Sequence, residues 1–220
     1  MSSIQSFEFS PFSENTYVIW DETNECVIID PGCFNSDEHH TLKSFIEEKN
    51  LKPVRLLLTH AHLDHIFGCK FVADTWGLKV EGHKGEVVVL DAAPAHAKMY
   101  GISLVPSPAM EVFHEEGDRI SFGNTTFKVL FTPGHSPASI CFYNEAEHYV
   151  ICGDTIFQSS IGRTDLPGGN LETLMTNIID KLLVLPDQTR LLPGHNSETT
   201  VGIEKQRNPF IQDWQSGKRI

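Results

Sequence analysis

The stretch Leu-Thr-His-Ala-His-Leu-Asp-His, residues 58–65, constrains this chain more than any other. It sets His60, His62, Asp64 and His65 within six positions, directly after the apolar run Leu56-Leu57-Leu58, where a buried strand surfaces into a loop. Imidazole and carboxylate at that density are the donor set of a metal site rather than the make-up of a solvated turn. Side chains of an extended segment alternate, so His60 and His62 face one way and can grip one ion. Asp64 breaks that parity. The apolar positions Ile66, Cys69, Val72, Ala73 and Trp76, closed by Gly77, read as a helix. Asp64 and His65 then stand at its start and can turn to a second position. A single ion seldom takes four ligands from one short loop, so the segment points to two ions sharing it.

Further ligands must come from elsewhere in the chain. Alternating and β-branched segments predict strands at 4–9, 16–20, 26–29, 54–58, 78–80, 119–122, 125–131, 139–143 and 148–152. Several end informatively. Phe131 runs into Thr-Pro-Gly-His135, Cys152 into Gly-Asp154, and Leu191-Leu192 into Pro-Gly-His195. Strands packed in layers bring their ends to a common rim, so His60, His135, Asp154 and His195 can meet at one site. The strand at 26–29 ends in Asp30-Pro31-Gly32, where Pro-Gly fits a type II turn and Asp30 is either a turn cap or part of the site. The remaining histidines, His39, His40, His83, His96, His114 and His148, lack a strand-end placement and read as surface or capping residues.

Between the strands, Ser36 caps an amphipathic helix with Leu42, Phe45 and Ile46 on its apolar face. Asn170 caps another, striped by Leu171, Leu174, Met175, Ile178, Ile179 and Leu182. Residues 86–90 suggest a short helix. Residues 91–110, rich in Ala and Pro around Met99 and Tyr100, lack periodicity and read as a long loop or broken helix, either a lid over the site or a surface connection.

Composition excludes several classes. With 40% hydrophobic and 21% charged residues, the 220-residue chain is an ordinary globule rather than a disordered one, and we expect one domain over 1–220. A formal net charge of −12 repels phosphate backbones, and no basic run offsets it, so no nucleic-acid partner is expected. The five cysteines are odd in number and lack CxxC spacing, which argues for reduced thiols rather than disulfides or a thiolate zinc site. No basic-then-apolar leader and no membrane-length apolar run is present, so the expected location is cytoplasmic, without a membrane partner.

The order HxHxDH, Pro-Gly-His, Gly-Asp, Pro-Gly-His resembles the metallo-β-lactamase fold superfamily, over about residues 14–196. The resemblance implies an α/β fold, an αβ/βα four-layer sandwich of two mixed β-sheets packed face to face with helices outside and a metal site at one edge. It implies that His60, His62 and His135 hold one ion, that Asp64, His65 and His195 hold the other, and that Asp154 bridges them. Asp30 matches an early aspartate that supports the ligands from behind. True β-lactamases lack either the histidine after the aspartate or the bridging aspartate, whereas His65 and Asp154 are both present here, which points away from β-lactam cleavage.

Residues 161–170 look like those of short bacterial glyoxalase II-type, hydroxyacylglutathione hydrolase-like enzymes. Their Gly162-Arg163-Thr164-Asp165 core is also similar to persulfide dioxygenases. The implied cofactors are two divalent metal ions, zinc first, with iron or manganese as alternatives because imidazole and carboxylate suit all three. The implied reaction is cleavage of a 2-hydroxyacyl thioester by hydroxide generated at the metal pair, with Asp64 orienting it. A thioester suits such a site because its thiol departs as a thiolate with little help from an acid. The alternatives are a mononuclear-iron persulfide dioxygenase-like oxidoreductase and a phosphodiesterase or nuclease. Tyr100, Arg163, Lys205 and Arg207 are the candidate substrate contacts, with a local Arg163–Asp165 salt bridge as the rival reading of Arg163. Longer glyoxalase II enzymes carry a C-terminal helical region that contacts glutathione, and this chain stops at Ile220 before such a region, which leaves the thiol carrier open.

Overall fold

Alternation along the strands decides the layering. In the structure, a computed structural model that describes residues 1–218, the first sheet contains β1 (Ser3–Phe9), β2 (Glu14–Trp20), β3 (Glu25–Ile29), β4 (Lys52–Leu57), β5 (Val80–Gly82) and β6 (Met110–Phe113), in that spatial order. The pairs β1–β2 and β2–β3 are antiparallel; β3–β4, β4–β5 and β5–β6 are parallel. Parallel neighbours need crossovers, and the crossovers here are helical. They are α1 (Ser36–Glu48), the pair α2 (Leu63–Ile66) and α3 (Cys69–Trp76), and α4 (Val87–Met99).

The second half of the chain adds β7 (Arg119–Phe122), β8 (Thr125–Phe131), β9 (Ile140–Asn144) and β10 (Tyr149–Gly153). A small hairpin follows, β11 (Ile156–Phe157) and β12 (Ser160–Ile161), then α5 (Leu171–Asn177), extended by a wider π-type turn over Ile178–Leu182. The chain closes with β13 (Arg190–Pro193), β14 (Thr199–Thr200), α6 (Val201–Arg207) and α7 (Pro209–Gln215). The second sheet has the order β14-β13-β10-β9-β8-β7, with β10–β13 parallel and its other pairs antiparallel.

Neighbouring residues on one strand enter different cores. Val27, Ile29, Leu57, Phe127, Phe142 and Ile151 meet between the sheets. Cys26, Ile28, Leu56 and Leu58 point the other way, onto Leu42, Ile46, Val72 and Leu90 of the helices outside the first sheet. Cys141, Val150 and Leu191 do the same outside the second, against Leu174, Met175, Val201 and Ile211. The result is helix, sheet, sheet, helix, the four-layer α/β sandwich expected from the motif order. Each fully buried Ile, Leu or Phe contributes about 1.5–3 kcal/mol, so strands hidden on both faces hold the rim that carries the ligands.

Three local expectations are corrected. Residues 91–110 are not one long loop: α4 runs unbroken to Met99, absorbs the short helix expected at 86–90, and only 100–109 are irregular. Pro94 lies inside α4 on its exposed side, and the lost hydrogen bond is carried because Val89, Leu90, Ala93 and Ala97 bury the opposite face. The Asp30-Pro31-Gly32 segment is not a type II turn, because the left-handed residue is Asp30 (φ 48°) rather than Gly32. A Cβ at Gly32 would collide with the Glu14 carboxylate and the Asp64 carbonyl, so close approach is what this position demands. The strand expected at 78–80 sits later, at Val80–Gly82, and β6 was not foreseen. Among the described residues, no helix is long and apolar enough to cross a membrane.

Candidate metal centre

The expected site residues converge beyond the carboxyl ends of like-directed strands, where open α/β sheets place their ligands. Asp30 follows β3, His60 to His65 follow β4, His135 follows β8, Asp154 follows β10 and His195 follows β13. Two groups form there. One ligand atom from each of His60, His62 and His135, and likewise from each of Asp64, His65 and His195, lies within 4.8 Å of the others in its group. Asp154 stands between them: its Oδ2 is 3.5 Å from His135 Nε2 and 3.6 Å from His195 Nε2, and its Oδ1 is 3.4 Å from His65 Nε2.

Oxygen acceptors behind four of the rings fix which nitrogen faces inward. His60 Nδ1 donates to Thr59 Oγ1 (3.0 Å), whose hydroxyl in turn donates to Asp30 Oδ2. His65 Nδ1 donates to Asp30 Oδ2 (3.0 Å), His135 Nδ1 to the Arg163 carbonyl (2.8 Å) and His195 Nδ1 to the Ser13 carbonyl (3.1 Å). These bonds make Nδ1 the donor and aim Nε2 of each ring at the site. His62 differs by presenting Nδ1, 2.9 Å from His135 Nε2. With His135 protonated at Nδ1, the hydrogen between these two rings sits on His62 Nδ1, and an ion held there would require the His62 tautomer that carries its proton on Nε2.

The donor set fits divalent cations. His60 Nε2, His65 Nε2 and Asp154 Oδ1 are buried with no hydrogen-bond partner, a state that proteins rarely leave uncompensated. All three atoms belong to the two groups or to the carboxylate between them. Asp30 also lies within reach of His60 and His65, but its oxygens are engaged by Thr59 N, Thr59 Oγ1 and His65 Nδ1, so it orients ligands.

Charge is distributed to match. Burial, reinforced by the neighbouring imidazoles, holds His60 well below the ordinary histidine range, and the same causes lower His62 to about 3. His135 is lowered by burial too. Burial opposes ionisation of Asp154 and Asp64, yet His65 beside both, joined by His135 and His195 for Asp154 and by His195 for Asp64, pulls both carboxyls below their usual range. His65 is itself pushed up, because the carboxylates of Asp154, Asp64 and Asp30 outweigh its burial.

Two buried carboxylates of the site escaped the sequence reading. Glu86 accepts hydrogen bonds from Ala61 N (2.9 Å), Ala138 N (2.8 Å) and Ser136 Oγ (2.7 Å to each oxygen), and so ties the loop of His60 and His62 to the loop of His135. Glu14 is fully buried, with Oε1 3.9 Å from His65 Nδ1, and burial raises its pKa well above the usual carboxylate value. The start of β2 also holds the segment that carries His195: Asn15 N donates to the Gly194 carbonyl (2.7 Å), and Asn15 Nδ2 donates to the carbonyls of Pro193 and Asn196. Gly194 itself leaves no room, since a Cβ there would collide with Asp154 Oδ1 and His65 Cε1.

The site opens into a cavity of about 1020 Å³, walled by His62, Asp64, His135, Asp154 and His195 at one end. The candidate substrate contacts Tyr100 and Arg163 line it, and so does His96, one of the histidines without a strand-end placement. Arg163 is held by Asp165 through two 2.7 Å bonds, the local salt bridge that was the rival reading of this residue. Lys205 and Arg207 are not in the wall; Lys205 pairs with Asp187 at 2.6 Å, because α6 packs against the outer face of the second sheet. His83 caps the short turn at Lys84–Glu86 and His114 bonds Glu81 at 2.8 Å, in keeping with capping roles. All five cysteines are buried and unpaired.

A four-layer sandwich with two adjoining His/Asp groups at one edge of its sheets defines a class of metal-site protein. Within that class the chain belongs to the metallo-beta-lactamase superfamily, whose family model matches residues 10–195. The probable metallo-hydrolase YqgX of Bacillus subtilis is 41% identical over 203 residues, 91% of this chain and 93% of that protein. The hydroxyacylglutathione hydrolase GloC of Haemophilus influenzae is 35% identical over 211 residues, 95% of this chain and 98% of that one. Among solved structures, BLEG-1 B3 metallo-beta-lactamase superimposes with a TM-score of 0.88 at 34% identity, covering 95% of this chain and 99% of that one. TTHA1623 in a di-iron-bound form does so with 0.84 at 35%, covering 94% and 99%. ETHE1 from Myxococcus xanthus gives 0.77 at 26%, covering 99% and 92%.

Proposed function

We propose that this chain is a metal-dependent hydrolase that cleaves 2-hydroxyacyl thioesters. The observation that carries the reading is the pair of donor groups around Asp154, with three buried, unpartnered polar atoms among them, at one end of a cavity lined by His62, Asp64, His135, Asp154 and His195. His60, His62 and His135 would hold one ion, and Asp64, His65 and His195 the other, with Asp154 shared. When bound, the ions supply a Lewis acid for the carbonyl and an acidified water as nucleophile. The protein's own groups do the rest. Asp64, kept ionised by His65 and His195, accepts a hydrogen bond from the attacking water and sets its direction. Thr59, Asp30, Ser13 and the Arg163 carbonyl hold the rings so that no reorganisation is needed during the reaction.

Water adds its oxygen to the acyl carbon, the C–S bond breaks, and the products are a 2-hydroxy acid and a thiol. The leaving thiol has a pKa of about 8.5 and departs as a thiolate, so the absence of a dedicated proton donor is no obstacle for this substrate class. The likeness to GloC of Haemophilus influenzae supports the same reaction class. Imidazole and carboxylate donors accept zinc, iron or manganese, and TTHA1623 was solved with two irons, so zinc leads without excluding iron. A second reading, oxygen-dependent oxidation of a persulfide by one iron, is supported by the Gly162-Arg163-Thr164-Asp165 resemblance, and the His60, His62, His135 group alone could hold that iron.

The test is thiol release from a lactoyl thioester beside an oxygen electrode, with protein loaded separately with zinc, iron and manganese. Thioester turnover without oxygen uptake is expected. Oxygen uptake with glutathione persulfide, or β-lactam opening, in the absence of thioester turnover with every metal would overturn the reading.

A further inference from the structure

The wall of the cavity beyond the ligands has a definite chemistry. One face of α4 supplies Val88, Ala92, His96 and Met99, spaced by three or four residues so that they share a side of the helix, and Tyr100 follows at its C-cap. Phe12, Phe157, Leu166 and Pro167 line the cavity from other elements. Several of these apolar residues stand uncovered: Met99 is 83% exposed, Val88 65% and Phe12 42%. Apolar side chains left open around a catalytic cleft are surface that a bound substrate can cover.

Positive charge is what the wall lacks. Among the described residues, Arg163 is the only lysine or arginine lining the cavity, and its charge is paired with Asp165 through Nε and Nη2. The whole chain carries a formal charge of −12. Glutathione brings two carboxylates and one ammonium. Along the carrier arm its carboxylates would meet apolar side chains with no unpaired lysine or arginine to receive them, and an unpaired charge is expensive to desolvate.

Resting on the thioester-hydrolase reading above, we propose that the cavity takes thioesters whose carrier arm is uncharged and apolar, laid along the α4 face, and discriminates against carriers with free carboxylates. His96 and Tyr100 give such an arm hydrogen-bonding partners that need no opposite charge.

The experiment compares kcat/KM of the zinc-loaded protein on three lactoyl thioesters: of glutathione, of glutathione with both carboxylates masked as ethyl esters, and of N-acetylcysteamine. The masked and N-acetylcysteamine thioesters are expected to exceed the glutathione thioester by about tenfold or more. Added salt should raise the rate on the glutathione thioester and leave the other two flat, because it screens repulsion. Asp165→Asn, which frees Arg163 toward the cavity, should raise the rate on the glutathione thioester relative to the masked one. A glutathione thioester cleaved as fast as its masked form, or faster, overturns this inference while leaving the hydrolase reading intact. Failure of all three thioesters with zinc, iron and manganese overturns both.

Discussion

Glu86→Gln is the sharpest test of how the metal centre is held. Glu86 has no exposed surface, and its two oxygens receive Ala61 N, Ala138 N and Ser136 Oγ, with only the Ser136 hydroxyl able to take a carboxyl proton. A neutral acid there would place an O–H among donors, so the group works as a carboxylate although burial pushes its pKa up. Glutamine keeps the shape but turns one oxygen into an NH₂. Whichever way it flips, two donors meet, at Ala61 N or at Ala138 N. One orphaned buried N–H costs about 1–3 kcal/mol, and the surviving bonds lose their charge assistance, about 1 kcal/mol each.

Relief of the buried charge returns part of this, which leaves a net loss of about 2–4 kcal/mol. For a chain of this size that lowers Tm by roughly 5–15 °C. Since Ala61 lies between His60 and His62 and Ser136 follows His135, the loosened tie should also weaken metal binding about 10–100-fold. Urea unfolding of the metal-free variant gives the first quantity and zinc titration against a competing chelator the second. Wild-type stability together with wild-type zinc affinity would refute the reasoning, and would mean that Glu86 is protonated or that the two loops are fixed by other contacts.

The metal-free chain should be most stable near about pH 6.5, the unfolded histidine value. Below it, His60, His62 and His135, lowered by burial, refuse protons that the unfolded chain accepts, so stability falls on acidification by up to about 4 kcal/mol per pH unit for the three. Above it, His65, raised by Asp154 and Asp64, and His195, raised by Asp64 and Asp154, hold protons that the unfolded chain has released, so stability falls again as pH rises through their folded values. Urea midpoints that climb steadily from pH 6 to about 9 would contradict this. Gly194→Ala drives a methyl into Asp154 Oδ1 and His65 Cε1 and should cost about 10–100-fold in metal affinity, read by the same zinc titration; unchanged affinity would show that the close approach is not required. Asp64→Asn should cut turnover by about 10²–10⁴-fold with little change in the urea midpoint, and parallel loss of fold and activity would make the residue structural.

What the sequence revealed and what it hid divide along a physical line. His60, His62, Asp64 and His65 were legible because their chemistry is local: a strand end, a period of two, and a helix start within one segment. The sandwich followed from ligands spaced at successive strand ends together with the family resemblance. Glu86 and Glu14 were hidden because a lone carboxylate reads as solvated surface until tertiary packing seals it; the available signal was that Glu86 directly precedes the unbroken apolar run Val87-Val88-Val89-Leu90. The sequence shows only a short helix at 86–90 followed by a long loop or broken helix, because Pro94 and the scattered alanines blur the period, yet Val89, Leu90, Ala93 and Ala97 pack into the outer core and carry α4 on to Met99. Lys205 and Arg207 were placed near substrate on charge alone, and charge without a strand-end position does not bring a residue to this rim.

The same division explains how the centre is kept rigid without depending on the metal to fold. The apolar clusters between and outside the sheets close on residues such as Phe127, Phe142, Ile28 and Leu174, none of them a ligand. Around the site, order comes instead from polar atoms that must be satisfied. Asp30 sits in a left-handed backbone (φ 48°), strain that a non-glycine residue accepts only where its surroundings insist. Here they do: one carboxylate receives Thr59 N, Thr59 Oγ1 and His65 Nδ1, so a single residue orients His65 directly and His60 through Thr59. Ser13, also left-handed (φ 54°), offers the carbonyl that fixes His195. The rings on both sides of Asp154 are therefore aimed by backbone and carboxylate groups of the chain itself.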